Sequence, residues 1–153
     1  MIIKIPYTDG EHTGCSKGPD AILEELKHVW SNSSFRKFKV PEVKECTINS
    51  IEDGKVYLGG DHTITYYTVK HFVKSNPGCC FIVFDAHPDV YQQFDHPSHP
   101  DYLKFLVEEG ILDPSNILVI GIRASHSSEI AYYKKKGIQY VLPYGKDLSA
   151  VCD

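Results

Sequence analysis

The chain has 153 residues, 42% apolar and 24% charged, with a formal charge of −4, which suits one domain with a single core and gives no reason to expect nucleic acid or an anionic membrane as partner. Five cysteines without C-x-x-C spacing exclude a zinc finger or a disulfide framework. The opening Met1-Ile2-Ile3-Lys4-Ile5-Pro6 is too short for a signal peptide or a membrane span, so a reducing cytoplasm is the expected setting.

Ile2 to Pro6 is a short β-like run ended by proline. Gly18-Pro19 opens a helix with proline at its first position, and Ile22, Leu23, Leu26, Val29 and Trp30 follow at helical spacing, so one face should pack on a core. Ser31 to Asn49 is ambiguous, with Val40-Pro41 and Cys46 to Ile48 as candidate strand edges. Val56 to Leu58 reads as a strand stopped by Gly59-Gly60, and Thr63 to Lys74 as a helix. After the turn Asn76-Pro77-Gly78, the unbroken apolar run Cys80 to Phe84 predicts a strand covered on both faces, with at least one of Cys79 and Cys80 in the core. Pro100 to Glu109 is a helix ended by Gly110, and Ile117 to Ile122 a second buried strand. Ser127 or Ser128 caps a helix running to Lys136, where Lys134-Lys135-Lys136 complement the helix dipole and Gly137 is the stop. Ile138 to Leu142 is a last strand, while Tyr144 to Asp153 resolve into no element. Strands alternating with helices predict an α/β fold with a mainly parallel sheet.

Ligands of such sheets gather at the carboxyl ends of the strands. Phe81 to Phe84 runs straight into Asp85-Ala86-His87-Pro88-Asp89, and on an extended backbone residues two apart project to one side. Gly59-Gly60-Asp61-His62 ends the preceding strand, its glycines letting the chain turn sharply and bring His62 over the sheet edge. Two imidazoles and two carboxylates make a mixed N/O metal site, and a carboxylate such as Asp85 can bridge two ions about 3.5–4 Å apart. Taken alone, Asp61 reads as a helix cap and His62 as a hydrogen-bonded structural residue. Three ionisable groups closing an apolar strand are costly unless paired, solvated or metal-bound, which favours the metal.

Gly59-Gly60-Asp61-His62-Thr63 resembles the G-G-D-H-[ST] motif of the ureohydrolase (arginase/agmatinase/formimidoylglutamase) family, and Asp85-Ala86-His87-Pro88-Asp89 its D-A-H-x-D motif. Gly18-Pro19-Asp20-Ala21-Ile22 is similar to the family's G-P-x-x-[IL]-R segment, and Ile120-Gly121-Ile122-Arg123 to a later family strand, so the likeness runs from about Gly14 to Leu142. The resemblance implies a three-layer α/β/α sandwich, arginase/deacetylase-like. It implies hydrolysis of a linear amidine or guanidine by hydroxide generated at two Mn²⁺ ions. His62 and Asp89 would ligate one ion, His87 the other, and Asp85 would bridge them. His99 resembles the family's proton shuttle to the departing amine, with an exposed helix-entry residue as the equally weighted reading. Val90-Tyr91 follow the second motif where arginases usually carry Ile-Asn, which tilts the substrate away from arginine and toward agmatine-like or unassigned molecules.

The family's S-x-D-x-D-x-x-D-P motif has no counterpart; the late candidates Asp147 and Asp153 lie in no such context. The expectation is therefore a single domain, 1–153, lacking the C-terminal part, holding one Mn²⁺ more readily than two and catalytically poor in isolation. Its partners would be a small amidine or guanidine and either a second copy or a complementing C-terminal chain. A deacetylase-like zinc amidohydrolase keeping Asp85 and His87, and a degenerate non-catalytic homologue or assembly subunit, are the alternatives.

Overall fold

A computed structural model describes residues 1–9, 13–30, 36–54, 56–91 and 94–143. The chain forms two compact units, Met1–Thr68 and the residues from Val69 onward.

In the first unit, strand β1 (Ile2–Ile5) lies between β2 (Val43–Glu45) and β3 (Val56–Gly59), all parallel, with Ile2 opposite both Val43 and Val56. As the central strand β1 is apolar on both faces, and Ile2, Ile3 and Ile5 are all buried. Ile3, Ile5, Cys46 and Ile64 form the core, with Tyr7, Ile48, Ile51 and Tyr57 packed against it. Strand β2 falls between the two expected stretches, just after Val40-Pro41 and just before Cys46. Helix α1 (Gly18–Leu26) carries Pro19 in its first turn, where a missing N–H leaves nothing unpaired. Lys4 joins three elements, its Nζ 2.7 Å from Asp20 on α1 and 2.7 Å from Glu45 on β2. The apolar stripe expected to run to Trp30 is cut short. The helix ends at Leu26, Pro19 is its buried residue, and Ile22, Val29 and Trp30 are exposed. A nine-residue helix is too short to carry the whole stripe.

Helix α2 (Ile64–Ser75) follows β3 and contains the boundary between the units. In the second unit, β5 (Ile117–Ile120) is flanked in parallel by β4 (Phe81–Phe84) and β6 (Gln139–Val141). Helix α3 (Tyr102–Glu108) connects β4 to β5 and α4 (Ser127–Lys136) connects β5 to β6, the strand–helix–strand pattern required of parallel neighbours. Gly110 and Gly137, at φ 67° and 77°, end the helices where a side chain would be strained. Lys136 reaches Glu108 at 3.0 Å and lies over the Tyr132 ring, so one member of the basic run has partners beyond the helix dipole. The segment from Tyr144 on lies outside the described residues.

Two expectations are corrected here. Strand β4 is covered on one face only: Val83 is buried, while Ile82 and Phe84 are 55% and 81% exposed. The register places Ile82 beside Leu118, and Phe84 beside Ile120 and then Val141, so one side of this sheet presents a row of apolar side chains. An unbroken apolar run reports what a strand can bury, not what covers it. Among the described cysteines the buried one is Cys46, whereas Cys79 is half-buried and Cys80 exposed. The opposite contributions of core and bare face are measurable. Leu106, fully buried on α3, should cost about 2–5 kcal/mol when cut to Ala. Phe84→Ser should stay within about 0.5 kcal/mol, since its ring is already in water. Urea denaturation of the two variants checks both.

Candidate metal centre

The first-unit motif runs beside the end of β1. Gly60 N–H donates to the Ile5 carbonyl and Asp61 N–H to the Tyr7 carbonyl, both at 3.2 Å. The chain bends at Gly60 and Asp61, as expected, but neither Gly59 nor Gly60 has positive φ, so the bend does not draw on left-handed backbone. A Cβ on Gly60 would overlap the Tyr7 carbonyl oxygen, and one on Gly59 would overlap the Ile64 side chain. The glycines permit close backbone approach, which is a different demand from conformational freedom. Asp61 is buried and acts as the structural reading expects: Oδ2 accepts from Asp9 N–H at 2.8 Å and Oδ1 from Thr63 N–H at 2.9 Å. His62 is half-buried, and its carbonyl accepts from Thr65 N–H at 3.0 Å at the start of α2.

The second-unit motif begins where β4 ends, and its backbone is anchored almost residue by residue. Asp85 N–H donates to the Ile120 carbonyl at 3.0 Å, and the Ala86 carbonyl accepts from Arg123 and Ala124 N–H at 2.9 and 3.1 Å. The Pro88 carbonyl accepts from the Tyr133 hydroxyl at 2.6 Å. Val90 N–H donates to Glu129 Oε1 at 3.4 Å, and Tyr91 N–H to the Pro100 carbonyl at 3.2 Å. Gly121, at φ 105°, packs against the Asp85 carbonyl so closely that a Cβ would stand 3.2 Å from it. Such a loop is preorganised, because its conformation is fixed by groups on β5, α4 and the entry to α3.

The loop does not stay extended, which corrects the equal projection of Asp85, His87 and Asp89 to one side. The chain bends at Ala86 and His87, and Asp89 sits at φ 52°. That left-handed conformation costs an L-residue about 1–2 kcal/mol, less for Asp than for most. The side chains accordingly differ in exposure: His87 62%, Asp85 17%, and Asp89 buried at 6%. Asp85 Oδ1 accepts from the His87 N–H at 2.9 Å and lies 3.6 Å from His87 Nδ1. The two carboxylates make a negative region that reaches their neighbours. Burial foremost, then Asp89 and Asp85, pushes the Tyr102 hydroxyl well above its usual pKa. Burial, then Asp89, Glu129 and Asp85, does the same to Tyr133. The loop brings Asp85 and Asp89 into one potential donor group, a carboxylate pair suited to a divalent cation, whereas His87, mostly exposed, does not join them there.

His99 is half-buried between Ser98 and Pro100. The segment is pinned by buried Asp101, whose Oδ1 accepts from Ser98 N–H at 2.7 Å and lies 2.8 Å from Ser98 Oγ. Asp95 and His96, close by in sequence, are exposed, and the His96 ring stacks on Phe94. Sequence reading missed Tyr133, Glu129 and Asp101 as supports of the motif. Only Glu129 carries a readable signal, three residues after the helix cap. The cap itself is His126 rather than Ser127 or Ser128: its side chain accepts from Ser128 N–H and its own N–H donates to Glu129 Oε2 at 2.8 Å.

The sequence model of the Arginase family matches residues 40–147. An agmatinase of Neisseria meningitidis serogroup C is 35% identical over 75 residues, covering 49% of this chain and 24% of that protein. The crystal structure of formimidoylglutamase from Bacillus subtilis superposes with a TM-score of 0.72 at 23% identity, over 92% of this chain and 54% of that one. A Trypanosoma cruzi formiminoglutamase solved with Mn²⁺ gives a TM-score of 0.68 at 14% identity, over 92% of this chain and 58% of that one. The chain thus spans about half the length of the solved relatives and a quarter of that agmatinase. The α/β fold expected from the sequence is the fold of these structures.

Proposed function

Because the chain belongs to the arginase family, we propose that it serves the manganese-dependent hydrolysis of a linear amidine or guanidine, with agmatine-like molecules as the substrate class. The observation that carries this reading is the anchored Asp85–Asp89 loop, which holds one buried carboxylate in a left-handed conformation at the end of a parallel strand. Strained backbone that the surroundings over-determine concentrates at functional sites.

Asp85, His87 and Asp89 are the proposed ligands in the second unit; His62, in the first, joins them on the strength of its motif. Mn²⁺ is favoured over zinc by the carboxylate-rich set and by the Mn²⁺ of the Trypanosoma cruzi relative. Bound manganese supplies Lewis acidity, polarising a substrate and making water nucleophilic near neutral pH. Asp85, with two oxygens and its loop fixed to β5, is the proposed bridging group. His99 is the proposed carrier of a proton to the departing amine. Agmatine-like substrates are supported by the agmatinase likeness and by Val90-Tyr91 after the motif. Among the described residues no helix is long and apolar enough to cross a membrane. We propose a cytoplasmic setting, and a second copy or a complementing C-terminal chain as the macromolecular partner.

The test is release of urea from agmatine and arginine, and of formamide from formimidoylglutamate, by the Mn²⁺-loaded chain. It is run with and without a co-expressed C-terminal fragment of an agmatinase. Turnover of agmatine above the other two substrates is the expected result, with His99→Asn lowering kcat while KM and metal content hold. Absence of turnover on all three, with and without the fragment, would refute the reading; loss of metal in His99→Asn would refute the role of His99.

A further inference from the structure

We propose that Tyr133 is a positioning residue for the Asp89 carboxylate, fixing through one buried hydrogen bond the peptide plane that sets its direction. The inference rests on the metal-binding reading above and extends it to a residue the motif does not contain.

The Pro88 carbonyl belongs to the peptide plane joining Pro88 to Asp89. Rotating that plane changes ψ of Pro88 and φ of Asp89 together, and φ of Asp89 is the strained one at 52°. The proline ring already fixes φ of Pro88. Holding the carbonyl oxygen therefore removes the main remaining freedom that would let Asp89 relax to negative φ. The Tyr133 hydroxyl holds it, donating at 2.6 Å, and Tyr133 is fully buried with its ring beside Tyr140. On the other side of Asp89, Val90 N–H donates to Glu129 Oε1 at 3.4 Å. Glu129 and Tyr133 stand four apart on α4 and so share one face, gripping the chain on both sides of the ligand. Helix α4 in turn is set by its His126–Glu129 capping box at one end and Gly137 at the other. Supports of this kind orient a ligand without touching the metal.

The test is Tyr133→Phe in the full chain, which keeps the ring and removes one oxygen. Val119→Ala, a fully buried change on β5, serves as a control for lost stability. Mn²⁺ affinity is read by electron paramagnetic resonance of free Mn²⁺, and exchange of the Val90 amide by NMR on metal-free protein. Tyr133→Phe is expected to weaken Mn²⁺ binding about tenfold or more and to speed Val90 exchange. Val119→Ala is expected to lower Tm while leaving affinity unchanged. Wild-type affinity in Tyr133→Phe, or an equal loss in Val119→Ala, overturns the inference. A wild-type chain that binds no Mn²⁺ brings down the metal reading and the ligand-directing role with it. Unchanged Val90 exchange in Tyr133→Phe removes the clamp itself, even where the wild type binds Mn²⁺.

Discussion

Asp89→Asn will weaken Mn²⁺ binding by about tenfold or more, a loss of at least about 1.4 kcal/mol. Asn matches Asp in shape and tolerates left-handed backbone, so φ 52° is kept and only the charge changes. The carboxylate is buried in the same loop as Asp85, and two negative charges held close together attract a divalent cation more strongly than one charge beside a neutral amide. Mn²⁺ should accordingly raise the melting temperature of the wild type more than that of Asp89→Asn, because a ligand stabilises the folded state according to its affinity. Isothermal titration and thermal melts with and without Mn²⁺ give both quantities. Should Asp89→Asn bind Mn²⁺ as the wild type does, Asp89 is a structural group, and the loop is a turn rather than a binding site.

That Asp85, His87 and Asp89 belong together was legible because an apolar strand followed by ionisable groups at alternate positions has few structural explanations. Their actual directions were not. Alternation assumes an extended chain, and the assumption fails at Asp89, where Pro88 and a tyrosine 45 residues away impose a different backbone. No local spacing connects Tyr133 to Pro88; α4 reads as an ordinary helix in which Tyr133 is one more apolar position. The same limit explains Phe84. Periodicity and length identified β4, but whether one or both faces are covered depends on packing that the run Phe81 to Phe84 does not encode. Cys80 is exposed for a related reason, since it lies beside a strand, where only register separates buried from exposed. Helix ends were more readable: Gly110 and Gly137 stop α3 and α4 because left-handed backbone demands glycine, and that demand is local. Gly59-Gly60 shows a local signal with a non-local cause, for the partner that excludes a side chain at Gly60 is the carbonyl of Tyr7.

Gly60→Ala will destabilise the first unit by about 3 kcal/mol or more, whereas Gly14→Ala will be neutral or slightly stabilising. The contrast turns on space alone, because neither glycine has positive φ. A Cβ at Gly14 meets nothing within 4 Å. A Cβ at Gly60 would overlap the Tyr7 carbonyl oxygen and press on the Cys15 carbonyl at 3.3 Å. Backbone atoms cannot rotate aside as a side chain does, so Gly60 and Tyr7 must separate. Separation breaks the bonds from Gly60 N–H to the Ile5 carbonyl and from Asp61 N–H to the Tyr7 carbonyl. Asp61 then loses the placement that lets it accept from Asp9 and Thr63, leaving a buried carboxylate without those donors. His62, two residues beyond the substitution, moves with the start of α2. Thermal melts monitored by far-ultraviolet circular dichroism should place Gly60→Ala well below both the wild type and Gly14→Ala. A Gly60→Ala chain that melts with the wild type would mean that the two segments do not approach as closely as described, and that the double glycine is there for another reason.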